Sequence, residues 1–312
     1  MRVEELRGSD FWKSNALLLI EPNEALALWL ESRPDLLGHV IFRTSGSSGV
    51  QKWIALSKVA LAWSAERVVE HLSMTSADVC ALALSTHHVG GFGIVARCEV
   101  SGARLVDFEG RWSAQSFTEL CLLEKVTITS LVPTQVDDLV REQLVAPDSL
   151  RSIVVGGGSL NPELAQKARD LGWPVVPSYG MTETGSQIAT GENLPLIKGW
   201  NATVIDGRLM VKGEGLLSGI VTQKDDSFEF YDPKDDGWYL TSDLASVSGR
   251  NLTIQGRADR RVKVLGELVD LTALEDFWAK KTEGEAALIA SPDERRGQNL
   301  TLFFTGGGIG NI

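Results

Sequence analysis

The loop at residues 44–52 carries the residue types that bind an anion. It combines glycines, hydroxyl side chains and a lysine: Thr44, Ser45, Gly46, Ser47, Ser48, Gly49 and Lys52. Glycines let backbone N–H groups converge on an anion, hydroxyls donate further hydrogen bonds, and the lysine adds a positive charge. The set suits a triphosphate, although its spacing differs from the GxxxxGK[ST] phosphate loop. A Ser/Gly-rich turn that is merely flexible is the alternative.

A second polar stretch, residues 178–184, follows the apolar run at 173–177. It offers the aromatic ring of Tyr179, the hydroxyl of Thr182 and the carboxylate of Glu183. Loops at the carboxyl ends of strands are where ligands collect in open α/β sheets. These groups could stack on a base, contact a phosphate and hold Mg²⁺ through one carboxylate plus phosphate oxygens. A capped helix start, with Thr182 and Glu183 in solvent, is the alternative.

Several weaker signals lie elsewhere in the chain. Three glycines at 156–158 end a strand-like run, Asp243 follows an aromatic pair, and Arg257 stands in a cation-rich run. The alternatives are a plain hairpin around Asp243 and, at Arg257, a solvated edge strand that its charges protect from pairing. His87 and His88 would point to opposite faces of a strand. Without companion Cys or His residues, this pair does not predict a metal site.

The elements that must position these residues alternate along the chain. Strand-like runs at 39–43, 79–85, 104–108, 127–132 and 152–155 alternate with helix-like runs at 58–74, 89–100, 113–124, 133–144 and 161–171. A helical pattern at 10–37 precedes them. Such alternation predicts parallel strands joined by crossover helices, an α/β fold.

The texture changes after residue 201. Short runs at 202–205, 209–212 and 228–231 are separated by Asp-Gly and Gly-Glu-Gly turns, which indicates an antiparallel meander of hairpins. A second boundary lies near 256, followed by a strand at 261–265, a helix at 271–280 and a strand at 300–304. The sequence therefore predicts a large domain at 1–256, parallel α/β to about 200 and antiparallel β at 201–256. A small, truncated α+β domain would occupy 257–312.

Composition excludes several classes of function. The chain has 30 Lys and Arg against 41 Asp and Glu, a net charge of −11, which argues against a nucleic-acid partner. The absence of a signal-peptide pattern and of a long apolar run predicts a cytoplasmic protein without a membrane span. Three cysteines without CxxC spacing fit a reducing compartment. The sequence does not determine the oligomeric state, and a homodimer is one option.

The order of these motifs resembles the acyl-adenylate-forming (AMP-binding) superfamily of acyl- and aryl-CoA synthetases, luciferases and adenylation domains. The resemblance runs from about Phe42 to the C-terminus. Within the superfamily, the stretches at 88–94, 130–135 and 178–187 look like those of the o-succinylbenzoate–CoA ligases of menaquinone biosynthesis. The resemblance implies an acid–thiol ligase that converts 2-succinylbenzoate and ATP to an acyl-adenylate and passes the acyl group to CoA, with Mg²⁺ as cofactor. Another aryl- or acyl-CoA ligase, or a non-catalytic adenylate-binding remnant, is the alternative.

The resemblance also assigns roles at the nucleotide. The loop at 44–52, with Lys52, would hold the β- and γ-phosphates, and Glu183 would bind Mg²⁺. Thr182 would contact the α-phosphate, Asp243 the ribose hydroxyls, and Arg257 the ribose or the α-phosphate side. The adenine would lie against the ends of two strands, with Tyr179 stacked on the base: Gly156, Gly157, Gly158, Ser178, Tyr179 and Gly180.

Other residues are assigned to the acyl group and to a domain hinge. His88, Thr134 and Ser186 would face the acyl group. Arg97 is a candidate for the ring carboxylate of the substrate because it lies on the helical pattern that follows His88, although an exposed helix face is the commoner place for an arginine. Asp259 matches the family's hinge. Lys263 and Gly266 would approach the site for the thioester-forming step.

The chain departs from the family pattern at several places. Gln51 and Trp53 stand where proline and glycine are usual, and Ser242 replaces the glycine before Asp243. The stretch ahead of the phosphate loop is short. The family's C-terminal Gly-Lys loop has no counterpart, since the last lysine is Lys281. We therefore expect either a truncated version of a longer protein or an impaired first half-reaction.

Overall fold

The computed structural model of the protein describes residues 3–44, 51–225, 227–264, 267–282, 284, 286–293 and 297–305. Contacts group the chain into two compact units. The first unit comprises residues 1–201, 212–239 and 249–252, and the second comprises residues 202–211, 240–248 and 253–312. The domain boundary near residue 256 stays a prediction.

Four of the described helices begin at polar caps that the sequence supplies. Their bounds are α1 (Val3–Leu6), α2 (Ser9–Lys13), α3 (Glu24–Glu31), α4 (Lys58–His71), α5 (Val89–Ser101), α6 (Ala114–Leu123), α7 (Pro133–Arg141), α8 (Pro162–Asp170) and α9 (Leu271–Thr282). Short 3-10 turns lie at Pro34–Leu36, Thr182–Thr184 and Ala258–Arg260. The side chains of Asn23, Ser57, Ser113 and Asn161 accept hydrogen bonds from backbone N–H groups at the starts of α3, α4, α6 and α8.

The strands are β1 (Leu18–Leu19), β2 (His39–Thr44), β3 (Lys52–Ser57), β4 (Val79–Leu82), β5 (Arg104–Asp107), β6 (Ile128–Leu131), β7 (Ser152–Val155), β8 (Val175–Met181), β9 (Ser186–Thr190), β10 (Asn201–Ile205), β11 (Arg208–Lys212), β12 (Gly219–Lys224), β13 (Ser227–Tyr231), β14 (Tyr239–Ser248), β15 (Asn251–Arg257), β16 (Arg261–Val264), β17 (Glu267–Asp270), β18 (Ala286–Asp293) and β19 (Gly297–Phe304).

A six-stranded sheet in the first unit confirms the predicted alternation. Its order is β5-β4-β6-β7-β8-β9. The first five strands are parallel and joined by helices, and β9 returns antiparallel to β8. Buried apolar side chains fill the space between sheet and helices, among them Phe117, Leu131 and Trp173. The chain is a mixed α/β protein, as the sequence predicted.

A second sheet of the first unit has the order β1-β2-β3-β12-β13. Thr44 pairs with Lys52 at the base of the β2–β3 hairpin, so the ends of the predicted phosphate loop lie together. Trp53, one of the departures from the family pattern, is buried against Phe228 with ring centroids 5.8 Å apart. The predicted antiparallel hairpins after 201 are divided between two sheets: β10 and β11 belong to the sheet β10-β11-β14-β15, whereas the β12–β13 hairpin joins this sheet through β3.

The prediction of one helix over residues 10–37 is wrong. The segment contains α2, then strand β1, then α3 and the turn at Pro34–Leu36. Pro22 and the capping side chain of Asn23 start a new helix, whose apolar face Leu26 and Leu30 bury. The apolar spacing of two separate helices therefore mimics one continuous helical period.

The second unit contains most of the sheet β10-β11-β14-β15 and the hairpins β16–β17 and β18–β19. Helix α9 covers the predicted run at 271–280, and β19 covers the predicted strand at 300–304. Among the described residues, no helix is both long and apolar enough to cross a membrane.

Candidate functional site

Predicted site residues gather at the carboxyl ends of adjacent parallel strands. His88 follows β4 at the N-cap position of α5, Thr134 lies in the first turn of α7 after β6, and residues 156–158 follow β7. Ser178 and Tyr179 lie in the next strand, β8. Because β4, β6, β7 and β8 are neighbours in the sheet, these residues share one edge. That edge is where open α/β sheets bind ligands.

Residues 178–181 form the second half of β8, so the prediction of a loop there is wrong. These residues pair antiparallel with β9, and the register shifts between Tyr179 and Gly180. A Cβ on Gly180 would lie 2.2 Å from the Ser186 carbonyl oxygen. Glycine at this position is therefore required for β9 to approach, and the returning strand extends β8 beyond the predicted end.

The turn Thr182–Thr184 presents Glu183 between β8 and β9. The Thr184 hydroxyl lies 2.7 Å from the Ser186 carbonyl oxygen and 3.1 Å from the Met181 nitrogen, which holds the turn in place. The Glu183 carbonyl accepts from the Leu217 N–H at 2.8 Å. The Tyr239 hydroxyl donates to Glu183 Oε1 at 3.3 Å. The carboxylate thus stands on a turn fixed from both sides.

The three glycines after β7 differ in the constraint that their surroundings place on a side chain. A Cβ on Gly156 would lie 2.9 Å from the Ser178 hydroxyl, which donates to the Val155 carbonyl. Gly157 has φ +76, a conformation that side chains disfavour. Gly158 has neither restraint, since its nearest neighbour is the Pro133 ring at 3.5 Å. Packing explains Gly156 and backbone geometry explains Gly157, whereas no contact among the described residues requires glycine at 158.

The described residues fit ATP with Mg²⁺ better than they fit a metal held by protein alone. No group of three or more His, Cys, Asp or Glu side chains among them could hold a metal ion. Mg²⁺ needs only one or two carboxylates when phosphate oxygens and water complete its shell. Glu183 suits that role. Thr44 Oγ1 lies 3.4 Å from the Lys52 carbonyl, and the loop members Ser45, Gly46, Ser47, Ser48 and Gly49 lie outside the described residues.

Arg97 is buried, with 4% of the residue exposed, so the alternative of an exposed helix face is wrong. Its Nη1 donates to Gln187 Oε1 at 2.7 Å, and its Nη2 donates to Ser130 Oγ at 3.1 Å. Both acceptors are themselves buried and uncharged. Among the described residues no carboxylate forms an ion pair with Arg97. Burying a cation without a counter-ion costs roughly several kcal/mol of hydration free energy.

Burial lowers the pKa of the Arg97 guanidinium, because the charged form loses its hydration. Cys80 and Cys98 lie beside it and share a hydrogen bond, which lowers the pKa of the Cys80 thiol and raises that of the Cys98 thiol. Arginine stays protonated in proteins even when buried. The cluster is therefore a site of positive charge inside the first unit.

Ser186 lies on the same side of α5. A Cβ on Gly93, one turn before Arg97, would lie 3.0 Å from the Ser186 hydroxyl. Ser186 thus lies beside Gly93 of α5, and the next residue of β9, Gln187, contacts Arg97 of the same helix. His88 and Thr134 are exposed at the carboxyl edge, without a described contact to that pair.

The remaining predicted site residues belong to the second unit. Asp243 is buried, and its backbone N–H donates to Thr241 Oγ1 at 3.0 Å. Arg257 Nη1 lies 3.5 Å from Asp243 Oδ1. The Arg257 guanidinium also donates twice to the Asp259 carboxylate, at 2.8 and 2.6 Å. Three predicted residues therefore form one charged cluster.

The structure describes the backbone of Lys263. Lys263 pairs with Leu268 in the β16–β17 hairpin. Its side chain and Gly266 lie outside the described part of the chain. Their assigned approach to the site stays a prediction.

The first unit also contains a cavity of about 720 Å³ at the far end of β3 from the phosphate loop. Ser57, Trp63, Arg67 and Lys212 are among its lining residues. None of the predicted site residues lines it. Its cations are already ion-paired, as Arg67 is with Glu70.

Sequence reasoning missed the contacts of Ser130, Gln187 and Tyr239. Ser130 and Gln187 stand inside stretches that carried the family resemblance, and Tyr239 precedes Asp243 by four residues. No periodicity links Arg97 to Gln187, because the two are 90 residues apart. A lone arginine in an apolar helix, Val89–Ser101, was the available signal of burial.

A sequence profile described as AMP-binding enzyme matches residues 32–214, more than half of the chain. The chain is 27% identical to the 2-succinylbenzoate–CoA ligase of Staphylococcus epidermidis (strain ATCC 35984), over 96% of this chain and 66% of that protein. It is 26% identical to the same ligase of Staphylococcus aureus (strain JH9), over 97% of this chain and 64% of that protein. The chain thus spans just under two thirds of the length of these relatives.

Solved structures show the same fold. The o-succinylbenzoate CoA synthetase of Bacillus subtilis, in complex with its acyl-adenylate intermediate, superposes with a TM-score of 0.75 at 24% identity, covering 85% of this chain and 58% of that chain. The E. coli enzyme with a bound analogue of the adenylate gives a TM-score of 0.67 at 23% identity, over 87% and 60%. At these identities the likeness establishes the fold alone.

Proposed function

The chain belongs to the AMP-binding enzyme family, and from this premise we propose that the protein activates 2-succinylbenzoate with ATP and transfers the acyl group to CoA. The curated relatives that it resembles over nearly its whole length carry that activity by name. The described carboxyl edge offers the groups that such a reaction needs, and the buried Arg97 selects among the acids that the family could use.

The uncompensated charge of Arg97 is the observation that carries the choice of acid. Its two described acceptors, on Gln187 and Ser130, are neutral, so the electrostatic cost of burial is offset only in part. The ring carboxylate of 2-succinylbenzoate would be the missing counter-ion, in a bidentate pair with the guanidinium. A simple fatty or benzoic acid has no second carboxylate to offer. This favours the dicarboxylate over the alternatives.

The first half-reaction would be an attack by the succinyl carboxylate oxygen on the α-phosphorus, with pyrophosphate leaving. Thr182 and the loop donors would orient the phosphates, and Lys52 would add positive charge beside them. Mg²⁺ on Glu183 would neutralise charge on the phosphate oxygens. The strand-end residues, with Tyr179 and Gly158, would hold the base. Positioning and electrostatics would supply most of the rate.

The second half-reaction would be an attack by the CoA thiolate on the acyl carbonyl, with AMP leaving. Asp243 and Arg257 are assigned to the ribose side, Asp259 to the hinge, and Lys263 to this step. A cytoplasmic location fits a reaction that consumes ATP and CoA. A homodimer is a further proposal, which sedimentation at micromolar concentration tests.

Calorimetric titration with non-reactive adenylates tests the proposed function without requiring turnover. The ligands are the acyl-sulfamoyl adenosines carrying 2-succinylbenzoyl, 4-oxo-4-phenylbutanoyl and benzoyl groups, beside adenosine itself. We expect tight binding of the first only. Equal binding of all the acyl ligands would refute the choice of acid, and binding of none would favour a protein that has lost adenylate binding.

Glu183→Gln tests the metal role. The amide keeps the size of the side chain but removes the charge. We expect MgATP affinity to fall at least tenfold, while ATP affinity in EDTA stays unchanged. Unchanged MgATP affinity would mean that the carboxylate only belongs to the turn.

A further inference from the structure

The amide of Gln187 is the acceptor nearest to the Arg97 guanidinium. Its Oε1 lies 2.7 Å from Arg97 Nη1, and its Nε2 donates to Thr190 Oγ1 at 3.0 Å. All three residues are buried. The Thr190 carbonyl in turn lies 2.9 Å from His71 Nε2, which ties this end of β9 to α4.

The orientation of the amide follows from the chemistry of its neighbours. A guanidinium only donates hydrogen bonds, so the amide oxygen must face Arg97. The amide nitrogen then faces Thr190, whose hydroxyl accepts. A flipped amide would set two donors against each other at 2.7 Å. Position 187 therefore provides Arg97 with an acceptor that carries no charge.

We propose that Gln187 is a specificity-determining residue: its neutral amide orients Arg97 while leaving the positive charge for a ligand carboxylate. This inference rests on the proposed function, because it concerns the subsite for the ring carboxylate. A glutamate at 187 has nearly the same shape and would form an internal ion pair with Arg97. The ligand carboxylate would then meet a neutralised site with one carboxylate already in it.

The charge at position 187, rather than its hydrogen bond, is the determinant. A neutral residue of similar volume, methionine, loses the acceptor but leaves Arg97 without a counter-ion. Gln187→Met should therefore keep the preference for a carboxylate ligand, whereas Gln187→Glu should lose it. The contrast separates a role in specificity from a merely structural one.

The test compares two acyl-sulfamoyl adenosines by calorimetry: the 2-succinylbenzoyl compound and the 4-oxo-4-phenylbutanoyl compound, which lacks only the ring carboxylate. We expect the wild type to prefer the first by at least about tenfold. In Gln187→Glu that preference should fall to about onefold, with affinity for the second compound unchanged. Gln187→Met should retain most of the preference. A Gln187→Glu variant that keeps the wild-type preference overturns the inference.

Controls keep the outcome interpretable. Gln255→Glu adds the same charge at an exposed position of β15 and should leave both affinities unchanged. If Gln187→Glu fails to fold, Ser130→Asp places a carboxylate against the other Nη of Arg97 and should abolish the preference in the same way. A wild type without any preference would overturn the proposed substrate itself, whereas a preference that survives both acidic variants overturns the roles of Gln187 and Arg97 but leaves the substrate standing.

Discussion

Arg97 and Arg151 are two arginines of the same unit with opposite electrostatic surroundings. Arg151 donates to both oxygens of Asp78 at 2.9 Å, and its side chain is 39% exposed. Asp78 also accepts from the Thr127 hydroxyl at 2.7 Å. Arg97 is buried and donates to two neutral groups. The more exposed arginine is neutralised by the protein, and the more buried one is not.

The difference separates a charge that stabilises the fold, at Arg151, from a charge that is available for binding, at Arg97. Arg151 ties the amino ends of three strands together, since Asp78 precedes β4, Thr127 precedes β6 and Arg151 precedes β7. That edge of a parallel sheet is remote from ligands. Arg97 lies against β6 and β9, in the interior behind the carboxyl edge. A charge left uncompensated in such a place is a candidate for ligand recognition.

Arg97→Met should give the largest effect, and it should be on binding. The variant keeps most of the volume but removes the cation. We expect affinity for the 2-succinylbenzoyl adenylate mimic to fall by roughly 100-fold or more, with ATP affinity within about twofold of wild type. Calorimetry measures both. Parallel losses of both ligands would break the comparison, because Arg97 would then act through the fold.

Arg151→Met should instead lower stability and leave binding intact. The substitution leaves the buried Asp78 carboxylate without its positively charged partner. We expect the free energy of unfolding to fall by about 2–3 kcal/mol, measured by urea denaturation. Arg97→Met is the matched control, since it should leave stability unchanged or higher. The reverse ranking of the two variants in stability would contradict the assignment.

We expect Asp78 to account for the loss of folding stability at acid pH. The hydrogen bonds from Arg151, helped by that from Thr127, hold the pKa of Asp78 at about 2, below its ordinary value of 3.8. A depressed carboxyl pKa stabilises the fold above the unfolded-state value. That stability, about 2 kcal/mol, is lost as the pH falls from about 4 to about 2. Denaturation at successive pH values should show this loss in wild type and Arg97→Met but not in Asp78→Asn.

Tyr239→Phe should give the smallest effect and extends the comparison to a carboxylate held by a neutral donor. The hydroxyl donates to Glu183 at 3.3 Å, a long hydrogen bond. We expect MgATP affinity to fall about threefold, with stability unchanged within about 0.5 kcal/mol. Tyr231→Phe, on exposed strand β13, is the control. A tenfold or larger loss would mean that the Tyr239 hydroxyl is as important to Glu183 as a charged partner.

The sequence predicted the part of the fold that local patterns encode. The strand at 152–155 and the cap at Asn161 have the predicted bounds, because β-branched runs and capping residues act within a few positions. It failed at 10–37, where β1 pairs with β2 and separates two helices, and at 178–181, where the returning strand β9 extends β8. Residue Gly180 shows the reason. Its role as a strand residue depends on β9, which lies beyond any local window.

In the candidate site, too, local residue types could be predicted from the sequence and long-range pairings could not. Residue types identified the anion loop, the carboxylate Glu183 and the cation Arg97. The neutral surroundings of Arg97 depend on pairings across 33 and 90 residues, which a single sequence does not display. Those neutral surroundings could therefore not be predicted from the sequence, and under the proposed function they distinguish among the acids.

The long separation between Arg97 and Gln187 also fixes when the carboxylate subsite can exist during folding. Strands β4 to β7 can assemble from successive βα units, but β9 must dock before the guanidinium meets its amide. Contacts between distant parts of a chain form late because closing large loops costs entropy. We therefore expect binding of the acid to recover only after β9 has docked, so that recovery of ligand binding in a refolding experiment reports formation of the β8–β9 pairing.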